Sequence, residues 1–328
     1  MRRLRRKHRP LEAGDDSRRR NALTGDIWVI GGGVIGSLFA AHLSRVAEVT
    51  LLCRRPEHAA AVAEHGLRVS GRADFVGRPR ASVDPAGLAE TGLVIVATKA
   101  NDVEAAAARL EGRLGDATVM TVQNGLGAEE VVRRYGSWPQ LSAVTFMSGT
   151  KLADDHVEYV LDTPTWIAPY EDAPFATAAE TASLIVEAGL KAEAMPDLKP
   201  ARWSKLIFNA TVNSVAALTG LPHDHHFAEL DRPSDLGHLV RGLMDEGKRI
   251  ASAAGISLRE DPWEMNVLAT QRGSRHYPSM LEDVEAQRPT EVDFITGALV
   301  REAERRGVEA PLMAAVYGLI KGREASYL

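Results

Sequence analysis

An α/β domain followed by an all-helical domain is the architecture that this 328-residue sequence predicts, on three observations. From Asp26 to about residue 196, β-prone runs alternate with helical patterns, as in a largely parallel sheet with helices on both faces. The first of these runs leads into a glycine-rich turn, and an apolar helical pattern follows at once. Beyond Asp197 the strand and glycine signals thin out and helical periodicity dominates. The expected organisation is a basic extension over 1–25, a sheet domain over 26–196 and a helical domain over 197–328.

The extension is read from charge. Residues 1–20 hold nine Lys/Arg and three Asp/Glu, a balance of +6 in a chain whose net charge is −5, so the remainder carries −11. An acidic remainder is a poor nucleic-acid surface, and the arginine-rich head lacks the aromatic interleaving or amphipathic period of a binding arm. Such a polar segment cannot offset its ordering entropy, so disorder is expected and no nucleic-acid partner. No apolar run approaches the roughly 18–20 residues that cross a bilayer, so no membrane association is expected either. Cys53 is the only cysteine, which excludes an intrachain disulfide and suits a reducing cytoplasm. A homodimer is left open.

In the first domain, the run IWVI precedes GGGVIGSLFAAHL, where Gly31, Gly33 and Gly36 spell GxGxxG. A second strand, EVTLLCR (48–54), completes a βαβ unit, the context in which this pattern marks a Rossmann-type dinucleotide-binding fold rather than merely a tight turn. Gly31 permits the turn, Gly33 lets backbone approach a pyrophosphate, and Gly36 lets helix and strand pack closely. The pyrophosphate would sit on the helix N-terminus, at Val34 and Ile35. No carboxylate stands at the end of the second strand, where NAD enzymes hold the ribose 2′-hydroxyl. Arg54 and Arg55 stand there instead, suited to a 2′-phosphate, so NADPH is the expected cofactor; the alternative is two solvated charges after a strand. Strands at LVIVATK (93–99) and TVMTVQN (118–124) bring Thr98, Lys99, Gln123, Asn124 and Gly125 to the carboxyl edge of the sheet, where ligands gather. The segments 142–150, 156–161 and 165–170 are expected to extend this sheet antiparallel, before a helix over 174–188 and a proline-containing hinge from Met195 to Pro200.

The decisive segment of the second domain is WSKLIFNATVNSVAALTGLP (203–222). On a helix, Lys205, Asn209 and Asn213 fall within about 80° of one another, while apolar residues cover much of the rest. Polar groups on a buried helix need partners, and a ligand, a second helix or water could each supply them.

With GGGVIGSLFAAHL, VIVATKA, VQNGLG, WSKLIFNATVNSVAAL and PSMLEDVEAQRPTEVDFITGALV in this order, the chain resembles ketopantoate reductases over about residues 27–328. The resemblance implies a Rossmann domain joined to a helical domain, with a small 2-oxo acid and the nicotinamide meeting between them. It implies Lys205 as the catalytic lysine, Asn209 and Asn124 as its active-site neighbours, Ser279 as a contact of the substrate carboxylate and Glu291 as the active-site acid. Local sequence offers other uses for the last two. Ser279 with Glu282 spells a capping box, and Thr290 with Asp293 a similar helix start that leaves Glu291 in a first turn, although Glu291 shares a face with apolar residues. The chain also departs from the family. His223 and His276 stand where ketopantoate reductases place substrate-binding asparagines, which admits another 2-oxo acid or ketone as substrate. A non-catalytic dinucleotide sensor is the alternative of a different class, and the presence of Lys205, Asn209 and Glu291 together argues against it. The spacing of His223, His225 and His226 matches no common zinc pattern, so no metal is expected.

Overall fold

The structure, a computed structural model, describes residues 25–228, 234–271 and 277–328. The basic head up to residue 24 and His276 lie outside the described residues.

The chain opens with β1 (Asp26–Ile30), α1 (Val34–Leu43), β2 (Val49–Leu52) and α2 (Pro56–His65). Short strands β3 (Leu67–Gly71), β4 (Phe75–Gly77) and β5 (Arg80–Ser82) come next, followed by β6 (Thr91–Val96), α3 (Val103–Leu110), β7 (Thr118–Thr121) and α4 (Ala128–Arg133). Four strands then run in succession: β8 (Gln140–Thr145), β9 (Ser148–Ala153), β10 (His156–Leu161) and β11 (Thr165–Tyr170). Helix α5 (Phe175–Glu187) and β12 (Ala192–Ala194) end this part.

An eight-stranded sheet has the order β12-β11-β8-β7-β6-β1-β2-β5. From β5 to β8 neighbouring strands are parallel, and only the β11–β8 junction is antiparallel. Every residue of β2, β6, β7 and β8 is buried, as expected of strands covered on both faces. One face packs under α1, α2 and α5, the other under α3 and α4. The order reverses between β1 and β6, and the crevice there is where an open α/β sheet binds its ligand.

Two sequence expectations need correction. The segment 142–150 is not one antiparallel strand: β8 runs parallel to β7, and the chain then leaves the sheet. Strands β9 and β10 join β3 and β4 in a separate four-stranded sheet of order β4-β3-β10-β9, packed on α1. Alternation along a strand reports that one face is buried, but not which sheet buries it. The expected hinge is short and anchored: Met195 N–H donates to Ile167 O at 2.7 Å, Leu198 is buried against Val144 and Ala168, and Pro200 lies in a first helical turn.

That turn opens α6 (Lys199–Thr219), which is buried on most of its circumference because other helices surround it. These are α7 (Asp235–Ala253), α8 (Pro262–Gln271), α9 (Ser279–Glu285), α10 (Thr296–Arg306) and α11 (Pro311–Glu324), each in contact with α6. Their apolar faces form a core separate from those of the sheet. Among the described residues no helix is long and apolar enough to cross a membrane.

Candidate active site

The glycine turn sits at the carboxyl end of β1, at the reversal of strand order. Gly31 adopts φ +104°, and a Cβ on Gly36 would lie 1.9 Å from Gly31 O, so the helix can approach the turn only without a side chain there. A Cβ on Gly33 would meet nothing within 4 Å, which leaves an open face over the turn. The first turn of α1 has no acidic residue and no side-chain cap, leaving the N–H groups of Val34, Ile35 and Gly36 to an outside acceptor. These features fit a dinucleotide pyrophosphate. Gly32 gains a role that the motif does not assign: a Cβ on it would lie 2.2 Å from His58 Cε1.

Arg54 and Arg55 follow β2 as expected. The Arg54 side chain is 85% exposed and lies 3.8 Å from Asp102. Arg55 forms an ion pair with Asp154, a carboxylate brought by the turn between β9 and β10. The carboxylate missing from the end of β2 is thus present in space, supplied from a hundred residues away. Lys151 lies close by, its Nζ donating to Ser37 Oγ at 2.8 Å and Asp154 O at 3.0 Å; burial lowers its ammonium to about 8 against the opposing pull of Asp154.

Across the crevice, Lys205 projects from α6. Its Nζ donates to Asn124 Oδ1 at 2.7 Å and to the Thr145 carbonyl, and it lies over the Phe146 ring, 5.1 Å from the centroid. An ammonium has three N–H donors, of which two are taken by described residues. Burial pushes the ammonium down to about 8; Glu291 opposes this and Arg202 adds to it. Asn124 also hydrogen-bonds the Glu291 carboxylate, placing the amide between lysine and acid. Glu291 is 9% exposed and its Oε1 accepts from Ala100 N–H at 2.8 Å. Burial raises its pKa, while the Ala100 N–H, Lys99 and Asn124 hold it down. One and two turns beyond Lys205, Asn209 and Asn213 are 8% and 7% exposed, and neither amide hydrogen-bonds to a described residue. Amides with no partner among the described residues have donors and acceptors available to a ligand.

Lys205, Asn124 and Glu291 are thus brought together from three distant segments. Lys99 is nearby but engaged, its Nζ paired with Asp283 of α9. Gln123 is spent on structure, donating to Val96 O and Thr98 O. Ser279 is exposed and makes no capping bond: Pro278 is the N-cap of α9, so the expected capping box does not form. Glu291 is not in a first helical turn either, because α10 starts only at Thr296 and residues 292–295 form turns. His223 is 2% exposed, its Nε2 lies 2.8 Å from Asn266 Oδ1, and its ring packs between Phe208 and Phe227. It therefore belongs to the helical core instead of lining an open cleft. His225, His226 and Asp224 cluster at the surface with their ligand atoms within 4.8 Å of one another, and the Asp224 carboxylate accepts from the His226 N–H and lies 2.8 Å from its ring Nδ1. Motif reading missed the Thr145 carbonyl, since main-chain acceptors leave no residue signature. It also missed Arg202 and Glu129, which form a buried ion pair at 2.6 Å beside Lys205.

The model of ketopantoate reductase PanE/ApbA matches residues 27–172, and that of its C-terminal domain matches residues 197–324. The chain belongs to the ketopantoate reductase family. As a member of this family it is an oxidoreductase, and the two matched regions coincide with the sheet-bearing and helical parts. The 2-dehydropantoate 2-reductase of Pyrococcus horikoshii is 28% identical over 299 residues, covering 91% of this chain and 97% of the relative. A PanE/ApbA family ketopantoate reductase from Ralstonia eutropha superposes with a TM-score of 0.83 at 25% identity, covering 92% of this chain and 99% of that one. A D-mandelate dehydrogenase in complex with NADH and anilino(oxo)acetate shares the fold, with a TM-score of 0.82 at 23% identity over 92% of this chain and 99% of that one.

Proposed function

We propose that this chain reduces 2-dehydropantoate to pantoate with NADPH, using Lys205 as the general acid. The observation that carries the reading is the Lys205 ammonium. It is buried, held by two acceptors with a third N–H unspent among the described residues, and acidified toward neutral pH. Bound NADPH would supply the hydride to the ketone carbon. As charge builds on the ketone oxygen, an ammonium can stabilise it and then transfer its proton, which general acids do best when their pKa is near working pH. Asn124 keeps the donor aimed, and Glu291 on the far side of the amide favours the charged form of the lysine. Asn209 and Asn213 offer amide donors and acceptors to the substrate's polar groups, and Ser279 at the start of α9 is assigned to its carboxylate by family resemblance.

NADPH is favoured over NADH by Arg54 and Arg55 at the end of β2, although Asp154 competes for Arg55. The preferred binding residues are Gly31, Gly33, Val34, Ile35 and Gly36 for the pyrophosphate, with Lys99 and Asn124 near the nicotinamide end.

A second reading keeps the chemistry and changes the substrate. The Phe146 ring lies against the Lys205 ammonium and meets Phe208 and Trp166 edge-on, at 6.4 and 6.2 Å between centroids. Such a wall suits a 2-oxo acid with a flat apolar substituent. Oxidation of NADPH and of NADH by purified protein, measured across a panel of 2-oxo acids, tests both readings. Highest kcat/KM on ketopantoate with NADPH is expected; a preference for aryl 2-oxo acids selects the second reading, and no turnover on any 2-oxo acid defeats both.

A further inference from the structure

We propose that Glu129 and Arg202 are a positioning pair for Lys205, locking α6 to the strand ends that hold its ammonium. This rests on the reading of Lys205 as the general acid. Arg202 lies on α6 three residues before Lys205, so both project from one face of the helix. Its Nη2 donates to Glu129 Oε1 at 2.6 Å, and the side chains are 13% and 2% exposed. The same carboxylate oxygen accepts from Thr121 Oγ1 at 2.9 Å and Ser142 Oγ at 2.6 Å. Thr121 ends β7 and Ser142 lies in β8. Three residues beyond each stands an acceptor of Lys205: Asn124 after β7 and the Thr145 carbonyl at the end of β8. One buried oxygen therefore gathers the two strands that hold the ammonium and the helix that presents it.

Burying an ion pair is a poor way to gain stability, because desolvation opposes the Coulombic attraction. Here the Arg202 Nε is also buried without an acceptor among the described residues. What the pair does provide is register: a small rotation of α6 breaks the Arg202 and Lys205 contacts together. It also places a guanidinium near the ammonium. Among the described residues, the charged groups facing Lys205 are Arg202 on its own helix and Glu291 before α10. Glu129, Glu130 and Tyr170 face Arg202, and Lys99 and Asp283 face Glu291.

The test uses the full-length chain with saturating NADPH and ketopantoate, comparing wild type with the charge-neutral double variant Glu129→Gln, Arg202→Met. Expected are a folded protein, an NADPH Kd within about twofold of wild type, and kcat lower by at least about tenfold, as small misplacements of a reacting group produce. The alkaline limb of the kcat–pH profile should move to higher pH, because of the two charges removed it is the Arg202 cation that acts on the ammonium, and without it the proton is kept longer. A folded double variant with wild-type kcat and an unmoved limb overturns the proposal, as does a loss spread equally over Kd and kcat. Should the double variant not fold, Arg202→Lys decides. It keeps the charge without the planar fork, and lowered kcat with an unmoved limb and unchanged KM is expected, whereas wild-type kcat overturns the proposal. Lys205→Ala measured alongside separates the two ideas. If it stays active, the general-acid reading fails; if it is dead while the pair variants behave as wild type, only the positioning role fails.

Discussion

Lys205 can protonate an alkoxide only while its own ammonium is intact, and burial makes that proton easier to lose. With the ammonium at about 8, opposed by Glu291, kcat should be level below this value and fall about tenfold per pH unit above it. Steady-state rates from pH 6 to 10 check this, and a profile flat to pH 9.5 would exclude Lys205 as the acid. Lys205→Ala should lose about 10²–10⁴-fold in kcat with NADPH affinity intact, since the lysine meets the ketone and not the dinucleotide. Asp154 carries a separate expectation. Its pairing with Arg55 competes with a 2′-phosphate, so Asp154→Asn should tighten NADPH several-fold and leave NADH unchanged. Equal changes for both nucleotides in a fluorescence titration would remove Arg55 from the 2′-phosphate site. Sequence placed the two arginines correctly after β2, but Asp154 arrives through a second sheet that no local pattern announces.

At the scale of the element, the loop after β7 joins the two halves of the molecule. Gly125 has φ +91°, and a Cβ on it would lie 2.1 Å from Phe294 O; the adjacent Leu126 N–H donates to that same oxygen at 3.1 Å. The turn before α10 is held from the other side by Asn101 Nδ2 on Thr290 O at 2.8 Å and by Glu324, which accepts from the Thr290 N–H at 2.7 Å. Alanine in a left-handed conformation costs about 1–2 kcal/mol, and the clash with main chain adds to this. Gly125→Ala should therefore lower Tm by at least about 3 °C and depress kcat through its neighbour Asn124. Wild-type Tm and turnover together would mean that the loop tolerates the displacement and that the contact does not position Asn124. The glycine was visible in VQNGLG; its reason, a carbonyl 169 residues further on, was not.

For the molecule as a whole, the junction of sheet and helices depends on buried charge. Burial alone would raise the Glu129 carboxyl, but Arg202 and the Ser142 hydroxyl outweigh it and hold it at about 2, below its ordinary 4.5. A group whose pKa is depressed by folding contributes stability that is present above the unfolded value and disappears as pH falls through the folded one. This contribution should be lost between about pH 4.5 and 2. Urea midpoints should drop over this window in the wild type and change less in Glu129→Gln, which should start lower at pH 7 because Arg202 is left buried without its counter-charge. Parallel losses in both proteins from pH 6 to pH 3 would show that other carboxylates control acid unfolding.

The sequence by itself determined the order of the two parts, the β1–α1 turn with its three glycines, the strands of the parallel sheet and the polar stripe of α6. These are set by short-range sterics and by periodicity, which act within a few residues and so can be read along the chain. Tertiary structure alone decided which sheet receives β9 and β10, that His223 turns onto Asn266 in the core, that Asp154 meets Arg55, and that Thr145 and Asn124 receive the Lys205 ammonium. Each of these joins groups at least about forty residues apart, through main-chain groups, side-chain amides or charges whose partners depend on packing, and hydrogen-bonding geometry of that kind exists only once the cores have formed.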